Sequence, residues 1–477
     1  MKQRFLFFLL LTPVFLLGQD GYEIKVTFKP FKNQHIYLGH YFGKSYPIID
    51  SALLNDKSEA VFKGQKKLNG GIYLVGYPNK TGFFEILVDK DQHFEIKADT
   101  ATIAQGVKFE GSPDNELFKK YQQEMSSRGK KIQALQQQLK DQNNHTDSSR
   151  IIAELTKADK EMKEYRESVI QQNPGTLLAT LLITMREPEL TGKLKDPKTK
   201  EDSLEAYHIY KSKYWEGVNF WDGRLAYTTF FEEKLDKYFN QLVPLHPDSV
   251  IKEIDYMMGY ASINEEMNRF LLVKFVNRYL NQKYMWEDAV FVHLFEKYFS
   301  NKSYPWLAEK GKKTITDRAY SLMANIMGNP AHDIVLPDVN GNFTGLYDVN
   351  AEYTVVVFWD PTCGHCKEVL PRLDSFYHAR WKAAGLKMFA VAKETDGTQK
   401  NWLDFIKEKK LNEWTHVYYS KADDKKRIDN NIPGYSQLYD VQSFPTVYLL
   451  DREKRIVAKK LSVEQTDDVL QIKRKAN

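Results

Sequence analysis

The chain has 477 residues, 42% of them hydrophobic, and a formal net charge of +5. That is long enough for several domains of ~150 residues each, with ample material for their cores. The charge is close to balance and no arginine-rich run or basic helix occurs, which argues against nucleic acid as a partner.

Residues 1–19 hold Lys2 and Arg4, then an apolar run over 5–17, then Gly18. This reads as a secretory signal peptide, with a basic start, an apolar stretch shorter than a membrane span and a small residue near the end. An uncleaved anchor is the alternative. No Cys stands near its end, so no lipoprotein anchor is expected. Cleavage removes Lys2 and Arg4, leaving five less two, a charge of +3. No later stretch is apolar long enough to span a bilayer, so the mature chain is expected to lack a transmembrane span.

Residues 20–112 read as an all-β, sandwich-like domain. Tyr22, Ile24, Val26 and Phe28 alternate with polar residues. Further short strands follow at 35–38, 60–62, 71–75, 83–88 and 93–96, separated by Gly, Asn, Asp and Lys. His35, His40 and His93 are too scattered to argue a metal site. Residues 113–325 read as an all-α domain. Ile152, Leu155, Ala158, Met162, Tyr165 and Val169 recur at spacings of three and four, and the polar break 141–147 separates them from an earlier helix, giving an αα-hairpin that ends at Asn173-Pro174-Gly175. Its charged flanks are a solvated face or a partner surface. Farther on, Tyr207, Tyr210, Tyr214, Trp215, Phe220, Trp221, Tyr227, Phe230 and Phe231 crowd one block. Core packing is the commoner reason for such spacing, and a peptide groove is the alternative.

Residues 326–477 form the last expected domain, opening at Asn329-Pro330. The run Tyr353-Thr354-Val355-Val356-Val357-Phe358 reads as a buried strand. Then comes Trp359-Asp360-Pro361-Thr362-Cys363-Gly364-His365-Cys366, which holds both cysteines of the chain. A helical pattern follows, with Val369, Leu370, Leu373 and Phe376 on one face. The pair therefore sits at a helix start, one turn apart and able to close a disulfide. Unpaired backbone N–H groups there favour a thiolate. Cys363 is the expected attacker and Cys366 the resolver. A zinc site would need further ligands that no second Cys pair or paired-His motif supplies, and covalent haem attachment would need His where Lys367 stands. No cofactor and no metal are expected. His365, between the cysteines, can stabilise the reduced form and make the disulfide more oxidising.

This stretch resembles the active site of the thioredoxin superfamily, in particular its exported TlpA-like thiol-disulfide oxidoreductases. The match runs over roughly residues 330–477 and includes Phe358-Trp359, Pro371 five residues after Cys366, and Phe444-Pro445-Thr446 before a strand. The resemblance implies a C-terminal α/β thioredoxin fold, a catalytic set of Cys363, Gly364, His365, Cys366 and a cis Pro445, and client contacts at Trp359 and Phe444. It further implies disulfide-containing exported proteins as partners, a membrane thiol donor, and location in the periplasm or cell envelope. The two upstream domains resemble a β-domain and a helical domain, both of unassigned function, that precede such modules. The chain departs from the family where thioredoxins hold a buried acid, since Val357 stands there, with Asp360 and Glu368 as candidate substitutes. It also has Val369 where cytochrome-maturation relatives carry Glu. Lys393 is placed either near the site or at the surface. The direction of electron flow is left open. The alternative reading is a binding or scaffold protein whose redox site only regulates partner contact.

Overall fold

The structure, a computed structural model, describes residues 21–103, 106–141, 145–396 and 398–476. The expected leader at 1–19 lies outside the described residues. Among the described residues no helix is long and apolar enough to cross a membrane.

The β-region comprises β1 (Tyr22–Lys29), β2 (His35–His40), β3 (Ile48–Leu53), β4 (Glu59–Gly64), β5 (Gly71–Gly76), β6 (Phe83–Val88), β7 (His93–Asp99) and β8 (Lys108–Glu110). They form two four-stranded sheets, ordered β4-β1-β7-β8 and β3-β2-β5-β6. Alternation decides which side faces in. Ile24, Val26 and Phe28 of β1 meet Ile36, Leu38, Phe62, Val75 and Ile86 in one shared core. Strands β3 and β8 escape the sequence reading because each lies at a sheet edge and carries mostly exposed residues.

The helices that follow are α1 (Pro113–Asp141), α2 (His145–Gln172), α3 (Leu177–Thr184), α4 (Lys200–Lys213), α5 (Thr229–Gln241), α6 (Pro247–Ala261), α7 (Glu265–Leu280), α8 (Glu287–Leu294) and α9 (Glu309–Met323). The hairpin α1–α2 stacks Tyr121 on Tyr165 with ring centroids 6.2 Å apart. Phe118, Tyr121, Leu178 and Leu182 cover Ile72 of β5 and Leu87 of β6. Asn115 is fully buried. Its Nδ2 donates to the Leu87 carbonyl and its Oδ1 accepts the Leu87 N–H, both at 2.8 Å, so the side chain satisfies the edge of β6 as a further strand would. Most of the aromatic block packs on itself, while Trp221 is 44% exposed. Trp215 meets Tyr214, Phe220 and Tyr238 at 5.1–5.2 Å, and Tyr214, Phe220, Tyr227 and Phe231 are buried. These rings serve as core.

The C-terminal part adds β9 (Val335–Pro337), β10 (Phe343–Gly345), β11 (Tyr353–Trp359), α10 (Gly364–Phe376), β12 (Leu386–Lys393), α11 (Gln399–Lys409), β13 (Thr415–Tyr419), α12 (Lys421–Asp429), α13 (Tyr435–Leu438), β14 (Thr446–Leu450), β15 (Ile456–Lys459) and α14 (Val463–Ala476). Its sheet is ordered β13-β12-β11-β14-β15, with β11 parallel to β12 and antiparallel to β14. Every residue of β11 is buried, as expected of a central strand covered on both faces.

Two compact units emerge. One runs to Pro244 and includes Asp255–Leu271; the other joins Leu245–Ile254 to Leu272–Asn477. The sequence reading divides the chain at 325/326, where the helical pattern gives way to Asn329-Pro330, but packing carries residues 272–325 with the C-terminal sheet. Asp288 of α8 pairs with Lys459 at the end of β15, their side chains 5% and 2% exposed. Lys459 Nζ also donates to the carbonyl and Oδ1 of Asn325, at 2.7 and 2.6 Å. Burial pushes the Asp288 carboxyl up and the Lys459 amine down, and their mutual attraction opposes both shifts.

Candidate active site

Three loops meet where β11, β12 and β14 end or begin. Strand β11 delivers residues 360–363, β12 leads into Thr395, and Phe444-Pro445 enters β14, pairing Phe358 with Thr446 across the sheet. The Phe444–Pro445 peptide bond is cis.

Cys363 is the N-cap of α10, with extended backbone, and its Sγ accepts the Cys366 N–H at 3.4 Å. A sulfur so placed meets the helix's unpaired donors and the positive end of its dipole. The same Sγ lies 3.8 Å from the Phe444 carbonyl oxygen. Cys363 is half-buried, whereas Cys366 is fully buried against Trp359, Val369 and Leu370; both are free thiols. Burial pushes the Cys366 thiol well up; a hydrogen bond with the Asp360 backbone opposes the shift, while the neighbouring Cys363 and the Asp360 charge add to it. The accessible sulfur is thus the one at the helix start, and the buried one is held neutral at ordinary pH.

Asp360 organises the loop. Its carboxylate accepts the Thr362 N–H and hydroxyl, each at 2.7 Å, and the Thr395 hydroxyl. Burial alone would raise this carboxyl, but those hydroxyls and backbone N–H groups hold it below the usual carboxylate range. Asp360 is 6% exposed. Glu368, the other candidate acid, points to solvent and lies 3.8 Å from His365 Nδ1. Val357 and Val369 are core residues.

Gly364 has open space where a Cβ would be, so packing does not require glycine there. The His365 side chain is 67% exposed in the first turn of α10. Phe444 is partly buried against the same core as Cys363. Trp359 departs from its expected client contact. It is 0% exposed and packs on Phe405 at 5.1 Å, because β11 is covered on both faces to its last residue. Lys393 is no free surface lysine: its side chain is 12% exposed, pairs with Asp424 and lies 4.0 Å over the Tyr419 ring. Thr395 was not legible in sequence, since it reaches Asp360 only through the β11–β12 pairing.

The raised Cys366 thiol predicts a pH dependence. On the expected assignment of roles, resolution of a mixed disulfide on Cys363 needs the Cys366 thiolate, whose fraction grows about tenfold per pH unit below its pKa. The rate of that step is expected to climb through the neutral and alkaline range without a plateau below about pH 9. Stopped-flow release of a fluorescent thiol from the mixed disulfide checks this, and a pH-independent rate would contradict it.

Residues 350–456 match a thioredoxin-like family model, and residues 22–118 match a domain of unknown function (DUF4369). Thiol-disulfide oxidoreductase ResA of Bacillus cereus is 28% identical over 146 residues, which is 30% of this chain and 75% of that protein. The thioredoxin domain of a thiol-disulfide oxidoreductase from Bacteroides vulgatus is 30% identical, covering 31% of this chain and 96% of that one, with a TM-score of 0.26. A thioredoxin-like protein from Bacteroides caccae is 20% identical, covering 60% of this chain and 98% of that one, with a TM-score of 0.43.

Proposed function

Given that the C-terminal domain belongs to the thioredoxin-like thiol-disulfide oxidoreductases, we propose that this protein exchanges disulfides with exported client proteins outside the cytoplasm. The observation that carries the reading is Cys363 itself: a half-buried sulfur at a helix start, beside the Phe444 carbonyl, with a buried partner thiol one turn on.

The Cys363 thiolate attacks a client disulfide, forming one S–S bond and breaking another, and the released client sulfur takes up a proton. Cys366 then loses its proton and attacks Cys363 Sγ. The second client thiol leaves, two electrons have passed to the client, and Cys363–Cys366 is a disulfide. Run backwards, the same steps oxidise a client dithiol. Net reduction therefore requires a dithiol donor, proposed to be a membrane protein. The Phe444 backbone offers an extended client segment an edge to pair with beside the sulfurs. Export is supported by the leader-like residues 1–19 and by confinement of both cysteines to one motif, where nothing else can mispair with them.

The test is reduction of insulin by the full chain with dithiothreitol. A rate well above the uncatalysed one is expected, and a rate equal to that of dithiothreitol alone would overturn the reading. Direction is set by potential. With His365 exposed between the cysteines, the midpoint is expected above that of thioredoxin, about −270 mV. Titration against glutathione measures it. A value at or below that figure would show that His365 does not dominate.

A further inference from the structure

The strand β14 and the Phe444 carbonyl are reached through a loop that begins at Asp440. Asp440 has φ +45°, a left-handed conformation that residues other than glycine seldom adopt, so something must hold it there. Its side chain is 3% exposed and is gripped from three elements. Arg318 Nη1 of α9 donates to Oδ1 at 2.6 Å, and Ser321 Oγ, one turn on, donates to the same oxygen at 3.0 Å. Lys460, just after β15, pairs with Oδ2. Gln442, within the loop, donates to Oδ1 at 2.9 Å. Asn325, just past α9, donates to the Leu438 carbonyl at 3.2 Å. The loop also packs into the core beneath the sheet through Tyr439, Leu438, Val441 and Phe444. It borders a cavity of about 1020 Å³ whose wall includes Arg318, Ser321, Gln442 and Lys460. Charge-assisted hydrogen bonds from α9 and from the residue after β15 add to that packing and fix the Asp440 end of the loop.

We infer that Arg318 is a positioning residue for the client-binding edge: through Asp440 it fixes the loop that presents the Phe444 carbonyl beside Cys363. This deepens the proposed function and rests on it. Helix α9, which contributes no chemistry, thereby becomes part of the exchange machinery. The effect belongs to client binding, not to the dithiol, because no clamp residue touches either sulfur. A misplacement of about 1 Å in a binding edge costs up to about 100-fold in rate.

The test uses the full chain carrying Arg318→Met, with insulin as client and dithiothreitol as reductant. KM is expected to rise about tenfold or more while kcat changes less, with the glutathione midpoint of Cys363/Cys366 unmoved. Arg318→Lys, which keeps a cation for Asp440, is expected to recover most of the loss. Should Arg318→Met fail to fold, Ser321→Ala removes one donor and is expected to raise KM by about two- to threefold. An unchanged KM overturns the clamp. So does a midpoint that moves together with activity, or Arg318→Lys failing as badly as Arg318→Met. A wild-type chain that does not reduce insulin would instead bring down the functional reading beneath it.

Discussion

Replacing Cys366 by serine is expected to arrest exchange at the mixed disulfide, so that client proteins remain covalently attached to Cys363. Cys363 is the sulfur within reach of solvent, held at the N-terminus of α10 with the Cys366 N–H donating to it. Cys366 is buried and neutral, suited to act second, when the mixed disulfide has formed above it. Without it the attack still proceeds and resolution does not. Cys363→Ser removes the attacker, and insulin reduction should fall to the uncatalysed rate; losses of three orders of magnitude or more are ordinary when a nucleophile is removed (roughly 10³–10⁶). Non-reducing gels of each variant after exposure to an extract of exported proteins decide the matter. Ladders on Cys363→Ser and none on Cys366→Ser would reverse the assignment.

The second large effect concerns stability. Asp288→Ala leaves the Lys459 ammonium buried with, among the described residues, only the oxygens of Asn325 for partners. Removing one member of a buried pair costs about 3–5 kcal/mol, because the remaining charge stays desolvated. Replacing both members by apolar residues of similar size is often neutral, so Asp288→Leu with Lys459→Met is expected to recover most of the loss. Urea unfolding of the full chain, followed by reaction of buried Cys366 with a thiol reagent, reports on the unit that contains the pair. A loss below about 1 kcal/mol for Asp288→Ala would show that the pair is not the tie between residues 272–325 and the sheet. The same reasoning predicts that a fragment starting at 326 unfolds at lower urea than the same residues do within the full chain, because it lacks Asp288, Arg318 and Asn325.

What the sequence determined by itself is local. The β-branched run before the dithiol, the three-residue spacing of the cysteines and the apolar face of α10 give strand, loop and helix start without any tertiary information, because each depends on residues within a few turns. Alternation along β1 and the three-and-four spacing of α2 declare their inward faces for the same reason. Phe444-Pro445 was legible through resemblance, a signal carried by a motif and not by periodicity. What only the tertiary structure decided depends on pairs distant in the chain. Trp359 reads as a client contact beside the motif, yet sheet packing on both sides of β11 buries it. Asp360 and Glu368 are equivalent acids in sequence; the β11–β12 pairing brings Thr395 onto Asp360 and makes it the buried one, while Glu368 is left in solvent. Arg318 and Asp440 are 122 residues apart. In a linear reading each is an ordinary surface charge, and only the docking of α9 removes water from between them, which is what turns a charge pair into a structural device.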